Sequence, residues 1–252
     1  MTFAHALAIF AAGLAAGTIN TVVGSGSLIT FPTLIALGYP PVLANVSNNI
    51  GLVPGTLSGA YGYRRELRGQ GRRLARLAPA SFAGGLAGSV LLLVLPGTVF
   101  KRVVVVLILI ALTLVILQPR LARRLAIPHG GDPHAQRALS PTLIALVGAV
   151  GVYGGYFGAA QGIILIALLG IFVDDDLQRL NACKNVLAMT VNIVASIVFV
   201  LATEVDWRVV AMIAAGSTIG GQIGSTIGRR LDPRVFRVVI VIVGTTALAR
   251  LL

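Results

Sequence analysis

A lysine lies among asparagines at the start of an apolar segment of this 252-residue chain, in the sequence NACKN at residues 181–185. A charged side chain inside a bilayer costs at least about 2.5 kcal/mol unless it faces a cavity or a partner, so Lys184 is a functional candidate. The eight acidic residues all lie in predicted loops or at the ends of apolar segments. This leaves the ammonium without a predicted partner and favours an anionic ligand. The alternative is that Lys184 extends to the inner headgroups near Asp174–Asp176.

Two clusters of small residues interrupt apolar stretches, in VGSGSLITFP at residues 23–32 and in GAAQG at residues 158–162. In lipid, such a break is tolerated only where protein or a water-filled cavity supplies partners for the backbone. Each break therefore predicts a hairpin tip with free backbone N–H groups, followed by the positive end of a half-helix. Ser25, Ser27 and Gln161 add side-chain donors there. The alternative is that these glycines only permit close packing of helices.

A second polar segment, ANVSNN at residues 44–49, follows the first break as NACKN follows the second. The candidate ligand-binding residues are the tip residues and the polar residues of these two segments: Gly24, Ser25, Gly26, Ser27, Asn45, Asn48, Asn49, Gln161, Gly162, Asn181, Lys184 and Asn185. We expect no cofactor. We also expect no metal site, although His129 and His134 with Asp132 lie together in a loop that contains glycine and proline.

The composition shows whether the chain folds in water or in a lipid bilayer. Hydrophobic residues make up 56% of the sequence and charged residues 11%, and the mean hydropathy is +0.92. Soluble domains carry about 25% charged residues, so this is an integral membrane protein. Crossing a hydrocarbon core of about 30 Å takes about 20 apolar residues in a helix. The sequence predicts full spans at 42–62, 77–95, 99–118, 181–202, 207–228 and 234–252, and two interrupted regions at 3–38 and 141–173.

The net charge of +12 comes mainly from three arginine-rich segments, around residues 64–76, 120–137 and 229–237. Loops rich in lysine and arginine stay in the cytoplasm, so the charge indicates topology rather than nucleic-acid binding. Counting crossings from these loops places both termini outside. Each interrupted region then enters and leaves on one face, as two tilted spans or as a helix followed by a re-entrant half-helix.

The two halves of the sequence match without gaps when Gly26 is placed on Gly162, which also places Asn45 on Asn181 and Asn48 on Lys184. We call this match the repeat alignment. Each copy has an odd number of net crossings, so the copies must have opposite orientation. Inversion brings both hairpin tips towards the middle of the membrane, which predicts a midplane site at the repeat interface.

The predicted fold is an all-α polytopic membrane protein with two inverted repeats, each a broken-helix or re-entrant hairpin followed by three transmembrane helices. The repeats occupy residues 1–118 and 141–252, joined by a cytoplasmic linker at 119–140. We expect Gly84-x-x-x-Gly88 and Gly220-x-x-x-Gly224 to serve helix packing.

The two hairpins with their following polar segments resemble the signature regions of the TauE/SafE sulfite exporter family, and the similarity runs over essentially the whole chain. The paired glycine-rich breaks and the N-A-x-K-N segment carry it. The resemblance implies transport, in the direction of export, of sulfite, an organosulfonate or a related small oxoanion across a prokaryotic inner membrane. The partners would be that small anion and the lipid bilayer, without nucleic acid. The protein would then be no enzyme.

Two alternatives stay open at this point. A passive small-anion channel, or a carrier of another organic anion, fits because no buried carboxylate identifies a coupling site. An intramembrane hydrolase with Ser25 as nucleophile needs a general base within hydrogen-bond reach. His5 is the histidine nearest to it in an apolar segment, and it lies at the far end of the preceding predicted helix.

Overall fold

The computed structural model describes residues 1–125, 139–227, 238, 240–246 and 248. Several predicted features lie outside these residues: most of the linker, with His129, Asp132 and His134, the arginines between 229 and 237, and much of the span at 234–252. Every regular element in the described part of the chain is a helix. The all-α prediction is therefore confirmed for these residues.

The helices follow the predicted order of a hairpin and then longer helices, twice. Their bounds are α1 Phe3–Val22, α2 Ser27–Ala36, α3 Pro41–Gly62, α4 Gly71–Val94, α5 Gly97–Leu125, α6 Pro141–Tyr156, α7 Gln161–Phe172, α8 Leu177–Ala202 and α9 Trp207–Thr226. α4 begins before the predicted residue 77, and α5 continues past the predicted residue 118. Both extensions contain arginines, which are good helix formers, so the helices run beyond their apolar parts.

Each interrupted region forms a long helix and a short one. α2 has 10 residues and α7 has 12, so each is about 15–18 Å long at 1.5 Å per residue. This is about half of a hydrocarbon core of about 30 Å. Of the two hairpin forms that the sequence allowed, these lengths correspond to a helix followed by a half-helix.

Three of the described helices, α1, α4 and α8, are both long enough and apolar enough to cross a membrane. α3 and α9 have 22 and 20 residues, so both are also long enough to cross a membrane. Their small and polar residues face other helices: α3 buries its asparagines and α9 buries serines and glycines. The chain thus has the features of a multi-pass membrane protein.

α1, α3 and α9 pack side by side, and we call them the first bundle. An added Cβ on Gly17 of α1 would lie 2.3 Å from the carbonyl oxygen of Ser217 on α9, and one on Gly55 of α3 would lie 2.6 Å from the Ser217 Cβ. A Cβ on Gly220 would lie 2.1 Å from Leu14 O. Only glycine allows backbones to approach so closely, as predicted for Gly220-x-x-x-Gly224.

α4, α6 and α8 form the second bundle in the same way. An added Cβ on Gly84 of α4 would lie 2.1 Å from Gly148 O of α6, and one on Gly88 would lie 2.0 Å from Val152 O. Residue numbers rise together along the two helices, so α4 and α6 are parallel. The packing role predicted for Gly84-x-x-x-Gly88 agrees with these contacts.

The bundles meet where α3 crosses α8, and each contains helices from both halves of the sequence. Asn49 of α3 bonds Ser196 of α8, whereas Tyr63, just past the end of α3, bonds Asn181 near the start of α8. α3 and α8 therefore run in opposite directions. These two helices occupy equivalent positions in the repeat alignment.

Candidate ligand-binding site

The two hairpin tips touch through their backbones. The N–H of Gly162 donates a hydrogen bond to the carbonyl oxygen of Gly24 at 3.0 Å. An added Cβ on Gly24 would lie 2.4 Å from Gly162 Cα, and Gly24 also has a φ of +89°, a conformation that favours glycine. Both features require glycine at residue 24. The structure thus brings together two breaks that are far apart in sequence.

Gly26 has a different environment from Gly24. A Cβ added there would lie 2.4 Å from Ala16 O and 2.9 Å from the Asn20 Cβ, both in the first helix of the same hairpin. This glycine lets the two arms of the first hairpin pack closely. The alternative that these glycines only permit close packing of helices therefore applies to Gly26. Gly24 and Gly162, by contrast, contact each other across the two tips.

The second tip contains the only non-glycine residue of the described chain with a left-handed backbone. Ala160 has a φ of 60° and lies directly before α7. The hydroxyl of Tyr153 donates a hydrogen bond to the carbonyl oxygen of Ala159, which ties this tip to α6. A hydrogen bond from a neighbouring helix thus helps to hold the tip in which Ala160 has its strained backbone conformation.

Lys184 is buried, with 1% of its surface exposed. Its Nζ donates hydrogen bonds to the carbonyl oxygens of Asn20 at 3.2 Å and Thr21 at 3.3 Å. These carbonyls belong to the last turn of α1, where backbone oxygens have no partner within the helix and the helix dipole is negative. The ammonium is therefore held inside the protein, and the alternative that it extends to the headgroups is wrong.

The asparagines beside Lys184 bind the same end of α1. Nδ2 of Asn181 donates to Thr21 O at 3.3 Å and to the Tyr63 hydroxyl oxygen at 2.8 Å, and Nδ2 of Asn185 donates to Thr21 O at 3.4 Å. The side chains of Lys184, Asn181, Asn185 and Tyr63 are all buried. Tyr63 follows α3 in the chain, and nothing in its sequence position indicated that it would reach this cluster.

The first half of the chain repeats this arrangement at the end of α6. Nδ2 of Asn45 donates to the carbonyl oxygen of Tyr156 at 3.0 Å, one residue before Phe157, the equivalent of Thr21. Asn48, the equivalent of Lys184, points elsewhere: it accepts a hydrogen bond from the Thr30 hydroxyl and donates to Ser27 Oγ at 3.2 Å. The two halves therefore differ in what reaches the end of the long hairpin helix.

Most of these hydrogen bonds join the first bundle to the second. Asn45 joins α3 to α6, Lys184 joins α8 to α1, and Ser196 donates to Asn49 Oδ1 at 2.9 Å between α8 and α3. We call this set of contacts, with the Gly24–Gly162 bond, the seam. Within each bundle the helices are in close backbone contact at glycines, whereas across the seam such a contact occurs at Gly24 and Gly162 and the other contacts named here are side-chain hydrogen bonds.

Four buried polar atoms around the tips have no hydrogen-bond partner among the described residues. They are Ser25 Oγ, Gln161 Nε2, Tyr156 OH and Asn45 Oδ1. A buried polar group without a partner costs about 1–3 kcal/mol, so such a group is a place where a ligand or water binds. Their grouping at the tips and at the end of α6 marks this region as the candidate site.

The N-terminal ends of the two half-helices lack side-chain caps. No side chain bonds the first N–H groups of α2 or of α7. Side chains of Thr2, Ser140, Asp176 and Asp206 cap α1, α6, α8 and α9, whereas α3 and α4 also lack a side-chain cap. Backbone carbonyls nevertheless accept from most of these N–H groups: those of Gln161, Gly162 and Ile163 at the start of α7, and those of Leu28 and Ile29 at the start of α2. The free N–H groups predicted at the tips are therefore mostly paired, and what both ends offer an anion is the positive helix dipole.

Charged residues tie the two halves together at one end of the molecule. Asp175 accepts from Arg73 and from Arg179, each at 2.8 Å, and Nη1 of Arg179 donates to Arg68 O at 3.1 Å. Asp176 caps α8. Asp175 has a further role that sequence reasoning missed, because its arginine partner on α4 is distant in the chain.

The loops before α3 and before α9 are also close to one another. Burial and the nearby carboxylate of Asp206 both raise the pKa of Tyr39. Tyr39 precedes α3 and Asp206 precedes α9, so the two loops approach at the end of the bundles away from Asp175.

Comparison with known proteins identifies the class of protein to which the chain is similar. The chain is similar to the probable membrane transporter protein YfcA of Escherichia coli (strain K12), with 27% identity over 247 residues covering 97% of this chain and 88% of that protein. A probable membrane transporter protein of Haemophilus influenzae is 26% identical over 245 residues, covering 96% and 92%. The probable membrane transporter protein ORF9 of Sinorhizobium sp is 27% identical over 252 residues, covering 98% and 93%. No solved structure matches the chain.

The family described as sulfite exporter TauE/SafE matches residues 9–251, nearly the whole chain. The family and these relatives are transporters and not enzymes, so the nucleophile role considered for Ser25 is not supported. Ser25 Oγ has no hydrogen-bond partner among the described residues, and therefore no general base there. The chain is a membrane transporter of the sulfite exporter TauE/SafE family.

Proposed function

We propose that the protein exports a small sulfur oxoanion, sulfite or an organosulfonate, across a prokaryotic inner membrane. The observation that carries the proposal is the coincidence of unpaired buried donors, at Ser25 and Gln161, with uncapped half-helix ends at two touching tips. An anion that leaves water needs donors and positive charge in return for its hydration. This region offers both, and the donors match the oxygens of an oxoanion.

In this proposal the ligand lies at the tips, and the polar residues of α3 and α8 line its site. Ser25 and Gln161 donate to the anion, and Lys184 supplies the positive charge nearby. The carbonyls of Asn20 and Thr21 hold the ammonium in place. Because these carbonyls carry only partial negative charge, the cluster keeps a net positive charge that attracts the anion.

We further propose that transport proceeds by alternating access, with the first bundle moving against the second. The opposite directions of α3 and α8 support an inverted repeat, which is the plan of many secondary transporters with a midplane site. The glycine contacts favour each bundle as a rigid body. The hydrogen bonds of the seam can be exchanged for others at small net cost, as each contributes about 0.5–1.5 kcal/mol.

Purified protein in proteoliposomes tests this function. We expect sulfite to raise the unfolding temperature saturably, and external sulfite to accelerate efflux of labelled internal sulfite. Acceleration by substrate on the opposite side is a property of a carrier that a passive channel lacks. A panel of sulfur oxoanions and small organic acids measured in parallel identifies the substrate class. Absence of binding by every sulfur oxoanion would contradict the proposed substrate.

A further inference from the structure

The end of α6 differs from the equivalent end of α1 in one respect. In the second half, the Lys184 ammonium binds Asn20 O and Thr21 O at the end of α1. In the repeat alignment, the equivalent carbonyls are those of Tyr156 and Phe157. The equivalent of Lys184 is Asn48, whose side chain bonds Thr30 and Ser27 instead. The positive group present at one helix end is therefore missing at the other.

Two oxygens at the end of α6 are left without a donor. Oδ1 of Asn45 is buried and has no hydrogen-bond partner among the described residues, although Nδ2 of the same side chain donates to Tyr156 O. The carbonyl oxygen of Phe157, the next along the chain, accepts no hydrogen bond from the described residues. Asn45 and Phe157 are each 2% exposed. Tyr156 O keeps a second lone pair, because a carbonyl oxygen has two.

This set of atoms has the chemistry of a cation site. Hard cations prefer oxygen ligands, and the C-terminal end of a helix adds a negative dipole. In transporters with broken helices, such ends and unwound carbonyls are where coupling ions bind. The ligands are neutral amide and carbonyl oxygens, which suits a single positive charge better than a double one. The Lys184 ammonium shows that the equivalent helix end accepts a single positive charge.

We propose that a small monovalent cation, with Na⁺ as the candidate, binds at the C-terminal end of α6, held by Asn45 Oδ1, Phe157 O and Tyr156 O. The cation takes the place there that the Lys184 ammonium takes at the end of α1. Each half thus contributes one positive charge beside the tips, one fixed and one exchangeable. The inference rests on the proposed function in one respect: the second charge compensates a doubly charged oxoanion and couples its movement to that of the cation.

The test measures cation binding without any oxoanion. Purified parent protein is titrated with NaCl at constant ionic strength, with N-methyl-D-glucamine chloride as the replacement salt, and the unfolding temperature and bound ²²Na⁺ are recorded. We expect a saturable rise in unfolding temperature and saturable ²²Na⁺ binding. Asn45→Leu should lose both. Asn192→Leu, a matched change at a buried asparagine about two helical turns beyond Lys184, should keep both.

Asn48→Lys is the sharper variant, because it keeps Asn45 intact. An ammonium placed at the equivalent of residue 184 can reach the end of α6 and occupy the cation site. We expect this variant to bind sulfite equally well in Na⁺ and in N-methyl-D-glucamine, while the parent loses at least about tenfold in sulfite affinity without Na⁺. If Asn45→Leu fails to fold, this variant still tests the proposed cation site.

The outcomes separate the cation site from the substrate assignment. Na⁺ binding that is unchanged in Asn45→Leu and in Asn48→Lys would place the ion elsewhere and overturn the inference. A parent that binds sulfite without any binding of Na⁺ would overturn it as well, with the proposed substrate intact. Na⁺ binding that Asn45→Leu removes, in a parent that binds no sulfur oxoanion, would support the cation site and contradict the proposed substrate.

Discussion

Gly162 donates its backbone N–H to the carbonyl oxygen of Gly24, so the two hairpin tips are hydrogen-bonded to each other although they lie in different halves of the chain. The bond is 3.0 Å long, and the two backbones are so close that neither residue has room for a side chain. Any ligand that binds between the tips therefore meets backbone groups first.

Gly162→Ala should abolish most transport. Its Cβ would lie 2.5 Å from Gly24 Cα, and because that neighbour is backbone, the tips must separate. We expect a loss of stability of about 1–3 kcal/mol, typical of overpacking, and a much larger relative loss of transport in proteoliposomes. Gly148→Ala is the matched control, since its Cβ would lie 3.6 Å from Ala80 O, an ordinary contact. Normal transport by Gly162→Ala would show that the tips are not the site.

Lys184→Met should strongly weaken anion binding, because it deletes the buried positive charge and leaves two carbonyls of α1 with fewer donors. A hydrogen bond to a charged group contributes about 1.5–3 kcal/mol, so we expect about a tenfold to hundredfold weaker affinity. Lys184→Arg should retain part of the affinity for the anion, since the positive charge is kept but the guanidinium is larger than the ammonium. Asn48→Ala should weaken binding less, by about 0.5–1.5 kcal/mol. Calorimetric titration with sulfite compares the variants, and parent-like affinity in Lys184→Met would contradict the role of the charge.

Ala160→Gly should stabilise the protein. Ala160 has a φ of 60°, and a left-handed conformation costs an L-residue about 1–2 kcal/mol. Glycine adopts it without that cost, but the unfolded chain gains entropy, so we expect a net gain of about 0.5–1 kcal/mol. Thermal unfolding in detergent measures the change. Ala159→Gly, one residue earlier and without a positive φ, should not stabilise, and an equal gain there would contradict the explanation.

Asp175→Asn should destabilise the contact between the two halves. It removes the charge that pairs with Arg73 of α4 and Arg179 of α8. Because these groups are partly exposed and screened by salt, we expect a loss of about 1 kcal/mol. The loss should shrink at high ionic strength. Asp174→Asn changes an exposed neighbour and should have little effect on the unfolding temperature; an equal effect of both variants would argue against the ion pairs.

Residues 68, 124 and 175 should face the cytoplasm, and both termini the outside, because arginine-rich loops remain inside. The bond from Arg179 to Arg68 O and the pair between Arg179 and Asp175 place two of these positions at one end of the molecule. Single cysteines at the three positions in a Cys183→Ser background are probed with a membrane-impermeant thiol reagent. We expect no labelling in intact cells and labelling in inverted vesicles. Labelling of position 124 from outside would contradict this topology.

The sequence alone determined the class of the protein and the identity of its polar segments. Composition identified a membrane protein, and small-residue breaks at Gly24 and Gly162 predicted the two hairpins, because glycine clusters and long apolar runs are local signals. The two polar segments after the breaks also provided Asn45, Asn181 and Lys184 as candidate site residues, and the structure buries all three. These features depend on residue type and spacing, which are visible without any contact.

Tertiary structure decided which groups meet. The partners of Lys184 are backbone carbonyls of Asn20 and Thr21, and no pattern of side chains indicates a carbonyl at a helix end. Tyr63, Ser196 and the pairing of Asp175 with Arg73 likewise depend on contacts between residues more than a hundred positions apart. Helix ends, glycine contacts and bundle packing set these distances together. For that reason the buried lysine could be recognised from the sequence, whereas what holds it could be found only in the folded chain.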